Sequence, residues 1–257
     1  MTVQLLISTM NQSDDSLVEK MNIFTDTIVI NQCETTAFHE FIYNGHKVEW
    51  YDCAERGIGK SRNRALMAAH AEVCVFADDD MVYEEDTLSE VVNVFETLTN
   101  AGIVAFYVKN TNKVRDRRRL HTWNAFKYGT YCLGIRRDAV LSARISFSLL
   151  FGGGAQFSCG EDTLFIADCL KKGLKMYETP NCLGTNLYGK STWFSGYNKK
   201  FFVDRGVLFY SMNSKLAYIY CVRYAILKYK RYGAETSRRQ ALEWLFEGVR
   251  YGKRKQY

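Results

Sequence analysis

Apolar positions in the first half of the chain fall into short β-branched runs separated by stretches of helical spacing. Residues 3–8 (VQLLIS), 26–30 (DTIVI), 46–51, 73–77 (VCVFA) and 103–108 read as strands. Ser13 and Asp15 supply capping chemistry for a helix carrying Leu17, Val18 and Met21. Gly57 and Gly59 open a helix (SRNRALMAAHA) with Ala65, Leu66 and Ala69 on one face, and residues 87–98 place Leu88, Val91, Val92 and Phe95 at helical spacing. Strand–helix alternation of this kind predicts right-handed crossovers and an α/β fold with a mostly parallel central sheet flanked by helices. Ligands of such sheets bind beyond the carboxyl ends of the strands. Three polar strand ends meet there: Ser8 and Thr9, Asn31 and Gln32, and Asp78, Asp79 and Asp80.

The second half is less regular. Residues 113–121 (KVRDRRRLH) read as a charged, solvated loop, 131–135 as a strand, and Gly152, Gly153 and Gly154 as a turn. A helix over 161–172 buries Leu164, Ala167, Cys169 and Leu170, and a short strand over 175–178 follows Gly173. From Leu216 onward the chain is helical, aromatic and basic.

Length and composition fit this pattern: 257 residues, 47% hydrophobic and 24% charged, build one large α/β domain. The net charge of +6 is uneven. From Lys215 onward eleven Lys and Arg face three Asp and Glu, which leaves residues 1–214 at −2. A division into a domain of 1–214 and a helical basic extension of 215–257 follows. That extension suits an anionic membrane surface, and equally suits packing on the domain or on a partner chain. It carries no nucleic-acid reading motif, so nucleic acid is not an expected partner. None of the eight cysteines forms a C-x-x-C pair and several lie in apolar runs, as reduced, packed thiols do. The start, MTVQLLISTMNQ, lacks a basic leader and a cleavage site, and the apolar stretch near 216–227 is broken by Arg223. The expected location is cytoplasmic, either free or peripheral on the inner face of the membrane.

Candidate chemistry centres on Asp78, Asp79 and Asp80. Three carboxylates at the end of an apolar strand repel one another, and a hard divalent cation, Mg²⁺ or Mn²⁺, relieves that cost; the alternative is a solvated acidic turn capping a helix. Glu161 and Asp162 begin a helix after a glycine-rich turn. A carboxylate there can act as a general base, or simply favour the helix dipole. Arg56, Lys60, Arg62 and Arg64 surround Gly57 and Gly59 at a helix start, a setting that favours phosphate. Ala54, where the phosphate-binding loop motif demands glycine, excludes that motif. His39, His46, His70 and His121 show no metal-ligand spacing. Trp193 is either an acceptor-side sugar platform or core.

The ordered set of a strand ending at Ser8 and Thr9, the GIGKSRNRAL helix, FADDDM and GEDTLFIADCL resembles family 2 glycosyltransferases of the GT-A fold, over roughly residues 1–210 and most closely the bacterial surface-polysaccharide type. The resemblance implies a nucleotide-sugar donor and a glycan or lipid-linked acceptor. It implies that Asp78 and Asp80, the outer aspartates of D-x-D, hold the metal and contact the ribose, and that Asp162, with Glu161 beside it, is the base of an inverting transfer. It places Ser8, Thr9, Asn31, Gln32, Arg62, Asp78 and Asp79 at the nucleotide-sugar. Two departures stand out. Asn31 and Gln32 replace the aspartate many relatives carry after the second strand, and NLYGKSTW lacks their metal-side histidine. Two rival readings differ in class. A nucleotidyltransferase would release pyrophosphate from a nucleoside triphosphate, but the sequence lacks a glycine-rich, arginine-containing loop after the first strand. A catalytically silent, membrane-recruited binding subunit would not need acids at both expected positions.

Overall fold

The computed structural model describes residues 1–111, 113–187 and 196–255; Trp193 lies outside them. Val3–Met10 (β1) is buried at seven of eight positions, as a strand covered on both faces must be. It pairs in parallel with Thr27–Gln32 (β2) on one side. Ala37–Tyr43 (β3) and His46–Cys53 (β4) form a hairpin beyond β2, and Val73–Asp78 (β5) lies parallel to β1 on the other side. The remaining strands are Met81–Val82 (β6), Ala101–Lys109 (β7), Arg118–Leu120 (β8), Leu133–Arg136 (β9) and Lys175–Asn186 (β10). Among the described residues the sheet runs β3-β4-β2-β1-β5-β9-β7-β10-β6, with β8 paired to β10. β9 is antiparallel to both β5 and β7, whereas β7 and β10 are parallel.

Helices Ser16–Met21 (α1), Ile58–Ala68 (α2), Thr87–Thr97 (α3), Thr122–Ala125 (α4), Arg137–Ser142 (α5) and Glu161–Lys171 (α6) cover or edge this sheet. Lys199–Met212 (α7), Ala217–Leu227 (α8), Tyr229–Tyr232 (α9) and Arg238–Lys255 (α10) follow. One core gathers the sheet with α1–α3, and a second, aromatic cluster joins Phe202, Phe209, Tyr220, Tyr232 and Leu245 across α7–α10. A boundary at 214/215 therefore falls inside the second cluster, between α7 and α8. Phe151, Phe157, Leu164, Val207 and Leu208 join α6 to α7. None of the helices among the described residues is long and apolar enough to cross a membrane. All eight cysteines are free.

Three differences from the sequence pattern have physical causes. β3 is an edge strand with most positions exposed, so it shows no burial pattern. Its turn, Asn44 and Gly45 at φ 49° and 83°, is nonetheless the two-residue hairpin signature. β10 continues past residue 178 to Asn186 because Pro180, which has no N–H, falls where the β7 pairing skips from Glu178 to Cys182. The 113–121 segment is not simply solvated. Glu178, 1% exposed, accepts hydrogen bonds from Arg118, Lys127 and the Tyr128 hydroxyl, with Arg115 at 3.9 Å.

Candidate active site

The parallel registers bring Ser8 beside Ile30 and Asp78, and Met10 beside Gln32, so the polar strand ends do converge on one edge. They open into a cleft of about 700 Å³ lined by Thr9, Gln32, Arg62, Asp78, Asp79, Asp80 and Asp162, among others. Ser8, Glu161, Arg56 and Tyr131 also border it.

Arg62 organises the acids. It is 4% exposed on the buried side of α2. Its Nη1 donates to Asp162 Oδ1 (2.7 Å) and Glu161 Oε1 (3.2 Å), and its Nη2 donates to Asp78 Oδ1 (3.0 Å). Burial would lower the guanidinium's pKa, but Asp162, Asp78 and Glu161 overcome that and hold its proton more tightly than usual. Loss of solvent also raises Asp78, opposed by Arg62 and reinforced by Asp162 and Asp80. Burial first, then Asp162, pushes Glu161 up to about 7, with Arg62 opposing. Thr130, brought in by the turn before β9, donates its hydroxyl to Asp162 Oδ1. Thr130 and Tyr131 were not legible as site residues, because an isolated polar or aromatic residue before a strand carries no spacing signal.

The backbone around α6 is built for close approach. Gly160 sits at φ 124°, and a Cβ there would lie 2.7 Å from Leu208 Cδ1 of α7. Gly152, at φ 106°, faces Glu161 and Ile58, and the Gly153 carbonyl accepts the Ile58 N–H at 3.0 Å, so the glycine turn folds onto the start of α2. Asp204 of α7 accepts from the Ser158 N–H and hydroxyl (2.9 and 2.8 Å), which fixes the approach to α6.

On the opposite wall, Thr9 donates its hydroxyl to Asp79 Oδ2 (2.6 Å), and Gln12 Nε2 donates to Thr9 (2.8 Å). Gln32 Oε1 accepts the Gly57 N–H (2.6 Å), and Ser61 donates its hydroxyl to Ser8 (2.8 Å). Asn31 departs from expectation. At 1% exposed, it gives both ends of its amide to the Gln12 backbone and its Nδ2 also to Asp52 Oδ1 (2.7 Å). It shapes the Gln12 loop and does not line the cleft. Asp52, which also accepts from Trp50 Nε1 (3.0 Å), is the carboxylate at this strand edge, supplied by β4 and not by β2.

Divalent-metal chemistry can be tested on the donor set. Among the described residues, Asp80 Oδ1 is buried without a hydrogen-bond partner, an arrangement a cation would satisfy. Among the described residues no group of three His, Cys, Asp or Glu is placed to hold a metal ion by itself. One or two carboxylates suit a cation whose other ligands are water and phosphate oxygen, so the residues fit such an ion.

The sequence profile of the family described as Glycosyl transferase family 2 matches residues 12–151. No curated protein matches the chain significantly. Among solved structures, S. aureus TarS 1-349 in complex with UDP-GlcNAc gives a TM-score of 0.62 at 14% identity, covering 91% of this chain and 74% of that one. TarS 1-349 alone gives 0.61 at 12%, covering 100% and 92%. The mannosyltransferase PcManGT from Pyrobaculum calidifontis, in complex with GDP-Man and Mn²⁺, gives 0.50 at 12%, covering 98% and 75%. At these identities the likeness is one of fold, the GT-A arrangement.

Proposed function

The chain belongs to glycosyl transferase family 2, and on that premise we propose that it moves a sugar from a UDP-sugar to a hydroxyl of a glycan or lipid-linked acceptor, with inversion at the anomeric carbon. The setting proposed is bacterial surface-polysaccharide synthesis at the cytoplasmic side of the membrane, with 1–214 as the transferase unit and 215–257 as its extension. The observation that carries this reading is the Arg62 cluster, which draws Asp78, Glu161 and Asp162 to one wall of a cleft at the carboxyl edge of the sheet. A donor built on uridine diphosphate is favoured by the likeness in fold to TarS, which is seen in complex with UDP-GlcNAc.

In this mechanism Asp162 accepts the proton of the acceptor hydroxyl while Arg62 and Thr130 hold the carboxylate in place. The acceptor oxygen forms its bond to the anomeric carbon from the face opposite the leaving group. The bond to the donor phosphate breaks, and its electron pair leaves with the nucleoside diphosphate. Thr9, Gln32, Arg62, Asp78 and Asp79 line the donor side, and Ser8 supports it through Ser61. Asn31 acts one step removed, through Gln12. Asp80, with Asp78, would hold Mn²⁺ or Mg²⁺, which when bound neutralises charge on the diphosphate. Trp193 keeps its acceptor-side assignment as a proposal.

The test is a hydrolysis and binding screen of UDP-, GDP-, CMP- and dTDP-sugars with and without Mn²⁺. Metal-dependent release of UDP from one donor, lost in Asp80→Ala, is the expected result. Pyrophosphate release from a nucleoside triphosphate would replace this reading with nucleotidyl transfer. Absence of both turnover and donor binding would replace it with a binding subunit.

A further inference from the structure

Helix α8 turns the usual arrangement of a surface helix outward. Ala217, Tyr220, Cys221 and Ala225 pack into the α7–α10 cluster. The opposite face presents Tyr218, Ile219, Val222, Ile226 and Leu227, each at least 40% exposed. Beside them stands Trp123 of α4, 54% exposed, edge-on to Tyr220 and covered by the Arg223 guanidinium at 5.6 Å. Tyr218, Ile219, Val222 and Arg223 line a shallow concavity of about 380 Å³. A continuous apolar face of this size, rimmed by charge, marks an interaction surface.

The charge carried by α8 and its flanking segments is of one sign. From Arg205 to Ala234 the sequence holds six Lys and Arg and no Asp or Glu. Among the described residues, none of Lys215, Arg223, Lys228, Lys230 and Arg231 forms an ion pair with a carboxylate; the carboxylate pairs of the extension, Lys199–Glu247 and Arg239–Glu243, lie on α7 and α10. Lys228 is held below its ordinary pKa by burial and then by Arg231, Arg205 and Arg223, so the neighbourhood repels further positive charge.

We propose that this face of α8, with Trp123, Arg223, Lys230 and Arg231, docks the protein on an anionic lipid surface, its apolar row entering the headgroup boundary and its cations meeting lipid phosphate. Exposed Ile and Leu beside Trp and Tyr suit that boundary, where aromatic rings are placed with one side apolar and the other wet. Charge argues against a second copy as the occupant: a symmetric contact would set the cations of 205–234, a stretch without Asp or Glu, against themselves. The segment that carries Trp123 into the patch continues to Thr130 at Asp162, so the lipid-facing surface and the proposed base share one short stretch of chain. The docking does not rest on the transferase reading.

The experiment is flotation of the full chain with vesicles of phosphatidylglycerol and phosphatidylcholine in equal parts, against phosphatidylcholine alone, alongside donor binding. The wild type should float with the anionic vesicles and be released by salt. Ile219→Glu with Ile226→Glu should weaken binding by about tenfold or more. Lys230→Gln with Arg231→Gln should cost roughly fivefold per charge. Both variants change exposed side chains and should keep wild-type circular dichroism and donor binding. Equal flotation of wild type and both variants, or equal binding to neutral vesicles, would overturn the proposal. So would a concentration-dependent dimer that the Ile219→Glu/Ile226→Glu variant abolishes, without vesicle binding. Flotation without donor binding would leave the docking standing and remove the transferase reading.

Discussion

Arg62 and Asp162 meet at 2.7 Å across a hundred positions of sequence, Nη1 donating to Oδ1, and through that contact the start of α2 fixes the start of α6. The same guanidinium reaches Glu161 and Asp78, so one buried cation holds three carboxylates, one from β5 and two from α6. Removing it leaves those charges near one another and short of solvent. Arg62→Ala is expected to lose about 3–5 kcal/mol of stability, the range for breaking a buried ionic group by one partner. Urea unfolding at pH 7 measures it, and a loss below 1 kcal/mol would mean that water replaces the guanidinium.

Asp162→Asn keeps the shape of the side chain and removes its capacity to take a proton. Transfer is expected to fall by roughly 10²–10⁴-fold, the range that general-base catalysis contributes, with donor affinity little changed. Titration calorimetry with the donor nucleotide, next to transfer kinetics, separates the two; retention of full transfer would remove Asp162 from the role of base.

Glu161 predicts a pH dependence with a definite sign. Its carboxyl is raised from 4.5 to about 7, by burial first and then by Asp162 against the opposing Arg62. The folded chain therefore binds this proton more tightly than the unfolded chain. The stability it lends is complete below pH 4.5 and is lost as pH rises to about 7. Denaturation midpoints across that window should slope downward in wild type and lose most of that slope in Glu161→Gln. Parallel slopes in the two proteins would show that Glu161 ionises as a solvated carboxyl does.

Asp80 carries the metal prediction. Its buried, unpartnered Oδ1 should gain a ligand when Mn²⁺ is added, so Asp80→Asn is expected to weaken Mn²⁺-assisted UDP binding by tenfold or more. Calorimetry with UDP and Mn²⁺ reads this directly. Chelation should leave the melting temperature of the nucleotide-free protein unchanged, because the sheet core closes around apolar side chains and not around an ion.

Much of this was written plainly in the residues. Strands β1, β2, β5 and β7 are largely apolar runs with polar residues at or near their carboxyl ends, and burial on both faces makes such runs conspicuous. The placement of Asp78, Asp79 and Asp80 on the same edge as Thr9 and Gln32 followed from the parallel topology alone. Other features depend on partners far away in sequence. Asn31 has the composition of a base-reading residue, but Asp52 of β4 and the Gln12 backbone claim its amide. The basic 113–121 stretch reads as solvated until β10 supplies a buried Glu178. β6 and β8, two and three residues long, are too short for any period to show.

Gly206 of α7 and Gly248 of α10 face each other with almost nothing between their backbones. A Cβ on either would overlap a carbonyl oxygen of the other helix, Leu245 or Val203. Gly248→Ala is expected to cost about 1–3 kcal/mol by overpacking and to lower transfer in parallel. Thermal melts and kinetics on the same preparation check both, and an unchanged melt would mean the helices can part freely.

That contact also sets a timetable. α7 supplies Leu208 beneath Gly160, immediately before Glu161 and Asp162, and α7 is itself clasped by α10. All the described strands of the sheet are present once residue 186 has been synthesised, yet the helix that steadies α7 begins only at Arg238. A nascent chain paused between these points would hold a finished sheet and an unsteady pair of acids, so the setting of those acids is completed late in synthesis, after the architecture that contains them.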